Sequence, residues 1–179
     1  EAALHADAVV VGEGEGVWPD LLLDVERREL KRRYVAETPL PFDALPRPRY
    51  DLLRGDYHVA RGIQVVRGCP HGSQCPFCVV PRLFGTQYRV MPITRAIDEI
   101  RACALERDTG SAGVNLSACC ALNHRDYIRP LAGALAPLAI RWCGGGLLDH
   151  LNDDPLLDLL KDSGCECVYT ESAVASARK

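Results

Sequence analysis

The sequence predicts an α/β protein with a parallel sheet, and three observations carry this prediction. Short apolar runs alternate four times with segments of helical periodicity after residue 61. The composition, 47% hydrophobic and 25% charged, is typical of a globular core with a solvated surface. No apolar stretch approaches the 18 or more residues that a membrane-spanning helix needs. Parallel strands joined by crossover helices fit either a barrel or an open doubly wound sheet.

Charge and cysteine content narrow the classes of function. A net charge of -3 gives no electrostatic footprint for nucleic acid. Nine cysteines, an odd number, follow no visible signal peptide, which favours reduced thiols or metal ligands over disulfides and predicts a cytoplasmic protein. The chain starts at Glu1 and its single methionine is Met91, so we expect it to be a fragment of a longer protein.

The first elements are a strand and a helix around a glycine-rich turn. Residues 5–11 are β-branched and apolar, and residues 18–25 are predicted to be helical, with Pro19 at an early helical position. The turn between them reads GEGEG. It lacks the lysine and hydroxyl residue of a phosphate loop, and its two glutamates would repel a phosphate, so a tight turn is favoured over nucleotide binding.

A proline-rich segment follows. Mixed charges over residues 27–33 are typical of a solvated face. Four prolines between residues 38 and 49 exclude a helix or a central strand, and they favour a stiff, extended connector between two domains.

The remaining elements alternate as a repeated strand–helix pattern requires. Functional residues of such sheets collect at the carboxyl ends of the strands, where Asn115, Ser117 and Glu171 are expected. Tyr169 is expected to pack in the core. The predicted strands cover residues 63–66, 114–118, 140–143 (followed by three glycines) and 165–170, and the predicted helices cover residues 94–107, 126–138 (interrupted by prolines) and 154–161.

The segment RGCPHGSQCPFC, residues 67–78, is the strongest candidate site. Cys69, Cys75 and Cys78 have the spacing C-x5-C-x2-C. Three thiolates without a fourth would leave an open position on a metal centre. Zinc with His71 as the fourth ligand is an alternative, and thiols without a metal are another. A second metal group at the cysteine pairs 119–120 and 165–167 is disfavoured, because neither pair has C-x2-C spacing.

Phe77 stands directly before the last cysteine of this loop, an apolar strand precedes the loop, and the sequence CPFCVVPRLFGTQYRVMPI closes and follows it. In these features the loop resembles the cluster-binding loop of the radical S-adenosylmethionine (radical SAM) enzymes. The usual spacing there is C-x3-C-x2-C, two residues shorter. The resemblance is to the subfamily with an N-terminal cobalamin-binding domain. It implies a partial (βα) barrel, about its first four strand–helix units, over residues 61–179, a linker over residues 38–60, and the last strand and helix of a Rossmann-like domain over residues 1–37.

The resemblance also implies a cofactor set and a reaction. Cys69, Cys75 and Cys78 would hold a 4Fe-4S cluster, which binds S-adenosylmethionine and cleaves it reductively to a 5'-deoxyadenosyl radical. The expected reaction is a radical modification such as methylation of a small-molecule substrate, with a flavodoxin or ferredoxin as electron donor and cobalamin in the full-length protein. Phe77 would meet the adenine, and Ser117 and Glu171 are candidates for the methionyl amine and the ribose. The alternative is a non-catalytic α/β module with a structural zinc or closed-cluster site that binds a partner.

Overall fold

A computed structural model describes residues 1–52, 61–70, 78–105, 113–117, 121–147 and 152–171, and it confirms the α/β class with a parallel sheet. Within these residues no helix has both the length and the apolar content to cross a membrane. The strands are β1 (Val9–Val11), β2 (Arg33–Val35), β3 (Arg61–Ile63), β4 (Val66–Arg67), β5 (Arg89–Val90), β6 (Val114–Leu116), β7 (Trp142–Leu147) and β8 (Cys165–Glu171), and the α-helices are α1 (Trp18–Arg27), α2 (Val80–Phe84), α3 (Ile93–Leu105), α4 (Arg125–Leu135) and α5 (Asp154–Asp162).

The main sheet has the order β3-β6-β7-β8, and every pair in it is parallel. One row of residues runs straight across it, with Gly62 opposite Asn115, Asn115 opposite Cys143, and Cys143 opposite Cys167. Helices α3, α4 and α5 pack side by side and share one buried apolar cluster with the sheet. Parallel strands in chain order with crossover helices are what the alternating pattern predicted. A partial barrel stays a prediction.

The N-terminal residues form a smaller parallel pair. Strands β1 and β2 pair in parallel and are connected by α1. The helix begins at Trp18 with Pro19 in its first turn, as predicted, and it ends where Arg28 takes a left-handed conformation with φ 60°. The predicted strand over residues 5–11 is shorter than expected, because only its last three residues pair. The assignment of this unit to a Rossmann-like domain stays a prediction.

Part of the proline-rich segment belongs to the core. Phe42, Leu45 and Tyr50 are all less than 9% exposed and lie in the main apolar cluster. Arg95 of α3 donates hydrogen bonds to the backbone carbonyls of Phe42 and Leu45, the second at 2.8 Å. The prolines exclude regular helix and strand as expected, but residues 42–50 pack on the domain instead of forming an extended connector.

Two strand predictions need correction. The predicted strand over residues 63–66 is divided: β3 ends at Ile63, and Val66 leaves the main sheet to pair antiparallel with Val90 of β5. The strand predicted to end before the three glycines continues through them to Leu147, because all six residues of β7 pair with β8. Pairing along the whole strand offsets the conformational cost of three glycines.

The helices agree better with the sequence. Helix α5 begins where predicted, with the Asp153 carboxylate accepting a hydrogen bond from the backbone N–H of Leu156. Helix α4 continues through Pro130, so the expected interruption there is wrong, and a 3-10 turn containing Pro137 follows it.

Candidate functional site

The start of the cysteine loop is held against the β4–β5 pair. The Cys69 side chain is buried, and its backbone N–H donates to the carbonyl of Gly85 at 3.1 Å. Gly68 has φ +81°, and a Cβ there would lie 2.0 Å from the backbone oxygen of Gln87, so only glycine fits. Cys78 is half-buried at the other end of the loop. The described residues thus fix the loop's two ends.

Other predicted ligands of this loop, Cys75, His71 and Phe77, lie outside the described residues. Among the described residues no group of three or more histidine, cysteine or acidic side chains is placed to hold a metal ion. None of the six cysteines among these residues forms a disulfide bond. At the pair 165–167, where a metal group was disfavoured, burial raises the pKa of the Cys165 thiol to about 11.

The candidate cofactor residues lie on strands of the same sheet. Ser117 is exposed immediately after β6, and its backbone N–H donates to the carbonyl of Ile63 at 2.8 Å. A Cβ at Gly62 would come within 2.5 Å of the Ser117 hydroxyl, so the glycine leaves room for that side chain. Glu171 is the last residue of β8, and its side chain lies outside the description. Because β7 separates their strands, about 10 Å of sheet lies between the two backbones.

The face of the sheet opposite Trp142 carries polar and thiol side chains. The Cys143 thiol lies 3.3 Å from the Tyr169 hydroxyl, and this hydrogen bond raises the pKa of Tyr169. Tyr169 is 52% exposed, so its expected place in the core is wrong. Alternation along a strand explains this result, because Tyr169 points to the same face as Cys167 and away from the helices.

A buried ion-pair network joins the glycine-rich turn to the cysteine loop. Arg67, two residues before Cys69, donates to Glu13 at 2.6 Å and to Glu15 at 2.5 Å. Arg89 also pairs with Glu13, whose side chain is only 5% exposed. The sequence analysis missed this network and interpreted the two glutamates only as groups that repel a phosphate. The only sequence signal for this network was the presence of two carboxylates and two guanidiniums, and because 52 to 76 residues separate the partners, no local pattern shows that they pair.

The network shifts the pKa values of two of its members, Glu15 and Arg67. A hydrogen bond from Arg67 holds the pKa of Glu15 below its ordinary value. Burial by itself would lower the pKa of Arg67, but the hydrogen bonds to Glu15 and Glu13 outweigh it and raise that pKa. The Arg67 guanidinium also lies 5.7 Å from the Phe42 ring and 5.4 Å from the Phe84 ring. Two carboxylates and two guanidiniums thus meet without net charge.

A cavity of about 560 Å³ opens beside this network. Trp18 and Leu83 line the cavity and are 52% and 46% exposed. The lining therefore combines ion-paired charged side chains with apolar ones. Its lining consists of Gly12, Glu13, Gly14, Glu15, Trp18, Pro19, Pro46, Arg67, Leu83 and Phe84.

Comparison with known proteins places the chain beside methyltransferases. It is 30% identical to the bacteriochlorophyllide d C-12(1)-methyltransferase of Chlorobaculum tepidum over 176 residues, 93% of this chain and 37% of that protein. It is 40% identical over 97 residues to the bacteriochlorophyllide d C-8(2)-methyltransferase of the same organism, 50% of this chain and 21% of that protein. An uncharacterized methyltransferase of Pyrococcus horikoshii is 30% identical over 194 residues, 96% of this chain and 41% of that protein. No family model matches the chain.

The chain spans less than half the length of these relatives. All of them are named as methyltransferases, which supports an enzyme for this chain. A small-molecule substrate agrees with the two bacteriochlorophyllide names. The expected flavodoxin or ferredoxin electron donor finds no support among them.

These findings overturn the identification as a radical SAM enzyme with an N-terminal cobalamin-binding domain. The relatives' names describe methyl transfer, and none of them refers to a radical, an iron–sulfur cluster or cobalamin. The 4Fe-4S cluster and the reductive cleavage, which depend on that identification, are corrected accordingly. The resemblance was drawn from the cysteine cluster, Phe77 and the flanking sequence, which indicate available ligands but do not specify a reaction.

Proposed function

We propose that this chain is part of an S-adenosylmethionine-dependent methyltransferase that methylates a carbon atom of a small molecule. The single observation that carries the proposal is the alignment of 93% of the chain with a protein named for methyl transfer at a defined carbon position. The second relative, named for a different carbon position of the same compound, supports the same reaction class.

The methyl donor would lie at the carboxyl edge of the main sheet. Parallel α/β sheets bind their ligands there, where the loops after the strands converge. The Ser117 hydroxyl packs against Gly62 at this edge, and Asn115, which is partly buried, lies two residues earlier in β6. Hydroxyl and amide groups of this kind can form hydrogen bonds with the amino, carboxylate and ribose groups of S-adenosylmethionine.

When bound, S-adenosylmethionine would supply an electrophilic methyl group on its sulfonium; transfer would break the sulfur–methyl bond and release S-adenosylhomocysteine, and the acceptor carbon would supply the electron pair of the new bond by losing a proton to a base. The chain's own residues have to bind and orient the donor, since a methyl transfer requires the two reacting atoms to be held close and in line. The Ser117 hydroxyl would accept a hydrogen bond from the methionyl ammonium, and the carboxylate of Glu171 would accept hydrogen bonds from the ribose hydroxyls.

Calorimetric titration with S-adenosylhomocysteine, the demethylated product, tests this site. We expect saturable binding to the unmodified chain and binding at least tenfold weaker for Ser117→Ala and for Glu171→Gln. Gly62→Ala should weaken binding too, because its Cβ would displace the Ser117 hydroxyl. Gly133→Ala is the matched control, since a Cβ there meets no atom within 4 Å. Equal affinity in all four variants would refute the placement.

A further inference from the structure

The cavity beside Arg67 presents apolar surface that the fold does not use. Trp18 lies in the first turn of α1, and Leu83 belongs to the short helix α2. Both side chains are about half exposed although both line the cavity. Large apolar side chains left exposed around a concavity are typical of a ligand site.

The charged residues that line the cavity restrict the chemistry of the ligand. Both guanidiniums are already paired with carboxylates, and the Arg67 and Glu13 side chains are no more than 10% exposed. No uncompensated charge is therefore available in this network for a phosphate or another strongly charged group. The Glu15 side chain is 28% exposed and offers carboxylate oxygen to a hydrogen-bond donor. The ligand that fits is broad and mostly apolar, with few polar groups.

Its size agrees with a ring system. A volume of about 560 Å³ lies within the usual range for small-molecule sites, roughly 300–1,000 Å³. The Trp18 indole and the Phe84 ring provide flat walls, and flat aromatic surfaces prefer flat partners.

We propose that this cavity binds the methyl acceptor and that the acceptor is a planar macrocycle of the tetrapyrrole class. The proposal rests on the proposed function, because its substrate class follows two relatives that are named for methylating bacteriochlorophyllide d. The first of these aligns with 93% of the chain. A chlorin ring is flat and has largely apolar faces, as the walls of the cavity require.

The cavity is also close enough to the proposed donor site. Arg67 lines the cavity and follows Gly62, the residue beside Ser117, by five residues. Five residues of fully extended chain span at most about 18 Å. A macrocycle that fills the cavity and extends toward the sheet can present a carbon atom at its rim to a donor beside Ser117.

Titration with pheophorbide a, a metal-free chlorin, tests the proposal by its absorption and fluorescence changes. We expect saturable binding to the unmodified chain, at least tenfold weaker binding by Trp18→Ala, and severalfold weaker binding by Leu83→Ala. Leu52→Ala and Leu157→Ala are matched controls, because these leucines are 64% and 39% exposed and lie outside the cavity lining. Both control variants should bind the chlorin with unchanged affinity.

Titration of the same proteins with S-adenosylhomocysteine separates this proposal from the proposed function. Donor binding that survives Trp18→Ala while chlorin binding is lost supports the cavity as the acceptor site. Absence of saturable chlorin binding, or equal weakening by all four leucine and tryptophan variants, overturns it, even if the donor binds. Chlorin binding that depends on Trp18 in a chain without donor binding would establish a chlorin site but would refute both the methyltransferase proposal and the role of the cavity as the methyl-acceptor site.

Discussion

The substitution Glu13→Gln tests the buried network that connects the glycine-rich turn to the cysteine loop. The Glu13 carboxylate is 5% exposed and pairs with both Arg67 and Arg89. Glutamine keeps the shape and one acceptor oxygen but removes the negative charge between two guanidiniums. We expect the free energy of unfolding to fall, because two positive charges then lie close together in a buried site.

The expected loss of unfolding free energy depends on the hydrogen bonds and ion pairs that Arg67 and Arg89 keep in the variant. Removing one partner of a buried ion pair costs about 3–5 kcal/mol when the other charge is left without compensation. Here Arg67 keeps its contact with Glu15, and Arg89 keeps hydrogen bonds to the carbonyls of Leu40 and Phe84 at 3.2 and 3.3 Å. The expected loss is therefore smaller, about 2 kcal/mol.

Urea unfolding followed by circular dichroism measures this difference, with Glu26→Gln as the control. Glu26 is an exposed carboxylate of α1, so its neutralisation should change the free energy of unfolding by less than about 0.5 kcal/mol. A double-mutant cycle between Glu13→Gln and Arg67→Met should give a coupling of about 1 kcal/mol or more. If Glu13→Gln and Glu26→Gln have equal effects, the network does not stabilise the fold and the reasoning is refuted.

Three further predictions concern local features. Gly68→Ala should lower the free energy of unfolding by about 2 kcal/mol or more, because Gly68 has a positive φ and a Cβ there would lie 2.0 Å from the backbone oxygen of Gln87. In the same urea assay, the control Gly133→Ala in α4 should raise the free energy of unfolding by up to about 1 kcal/mol. The folded state lowers the pKa of Glu15, so its ion pair stabilises above the unfolded pKa near 4.3 and is lost as pH falls through the folded value. The effect of Glu15→Gln on unfolding should thus be constant between about pH 5.5 and 8 and should vanish in stronger acid, and an effect that grows in acid would contradict this sign. Iodoacetamide at pH 8 should alkylate Cys167 well before Cys165, because the pKa of Cys165 is about 11, and mass spectrometry measures both labelling rates. In urea, where the chain is unfolded, the two rates should be equal. Faster labelling of Cys165 in the folded protein would exclude its burial.

Local patterns predicted the elements that local chemistry determines. Pro19 and Pro155 lie in the first turns of α1 and α5, since proline favours the first positions of a helix. Strand–helix alternation also placed Ser117 at the carboxyl edge of a parallel sheet. These predictions need no information beyond a few neighbouring residues.

Long-range pairing was not visible in the sequence. A short apolar run does not show that Val66 leaves the sheet to pair with Val90, because periodicity over four residues fits either arrangement. The contact between Arg67 and Glu13 crosses 54 residues and has no local signature. Similarly, cysteine spacing suggested a ligand set for a radical reaction, whereas the relatives are named for methyl transfer.

Photochemical crosslinking with S-adenosylmethionine labelled in its methyl group tests the central claim most directly. Irradiation of the unmodified chain, digestion and mass spectrometry locate the labelled peptide. We expect the label on the peptide that contains residues 114–117 at the end of β6, and we expect excess S-adenosylhomocysteine to suppress it. Label that is absent, that resists this competition or that falls only on peptides away from the carboxyl edge of the sheet would contradict the proposed methyl-donor site.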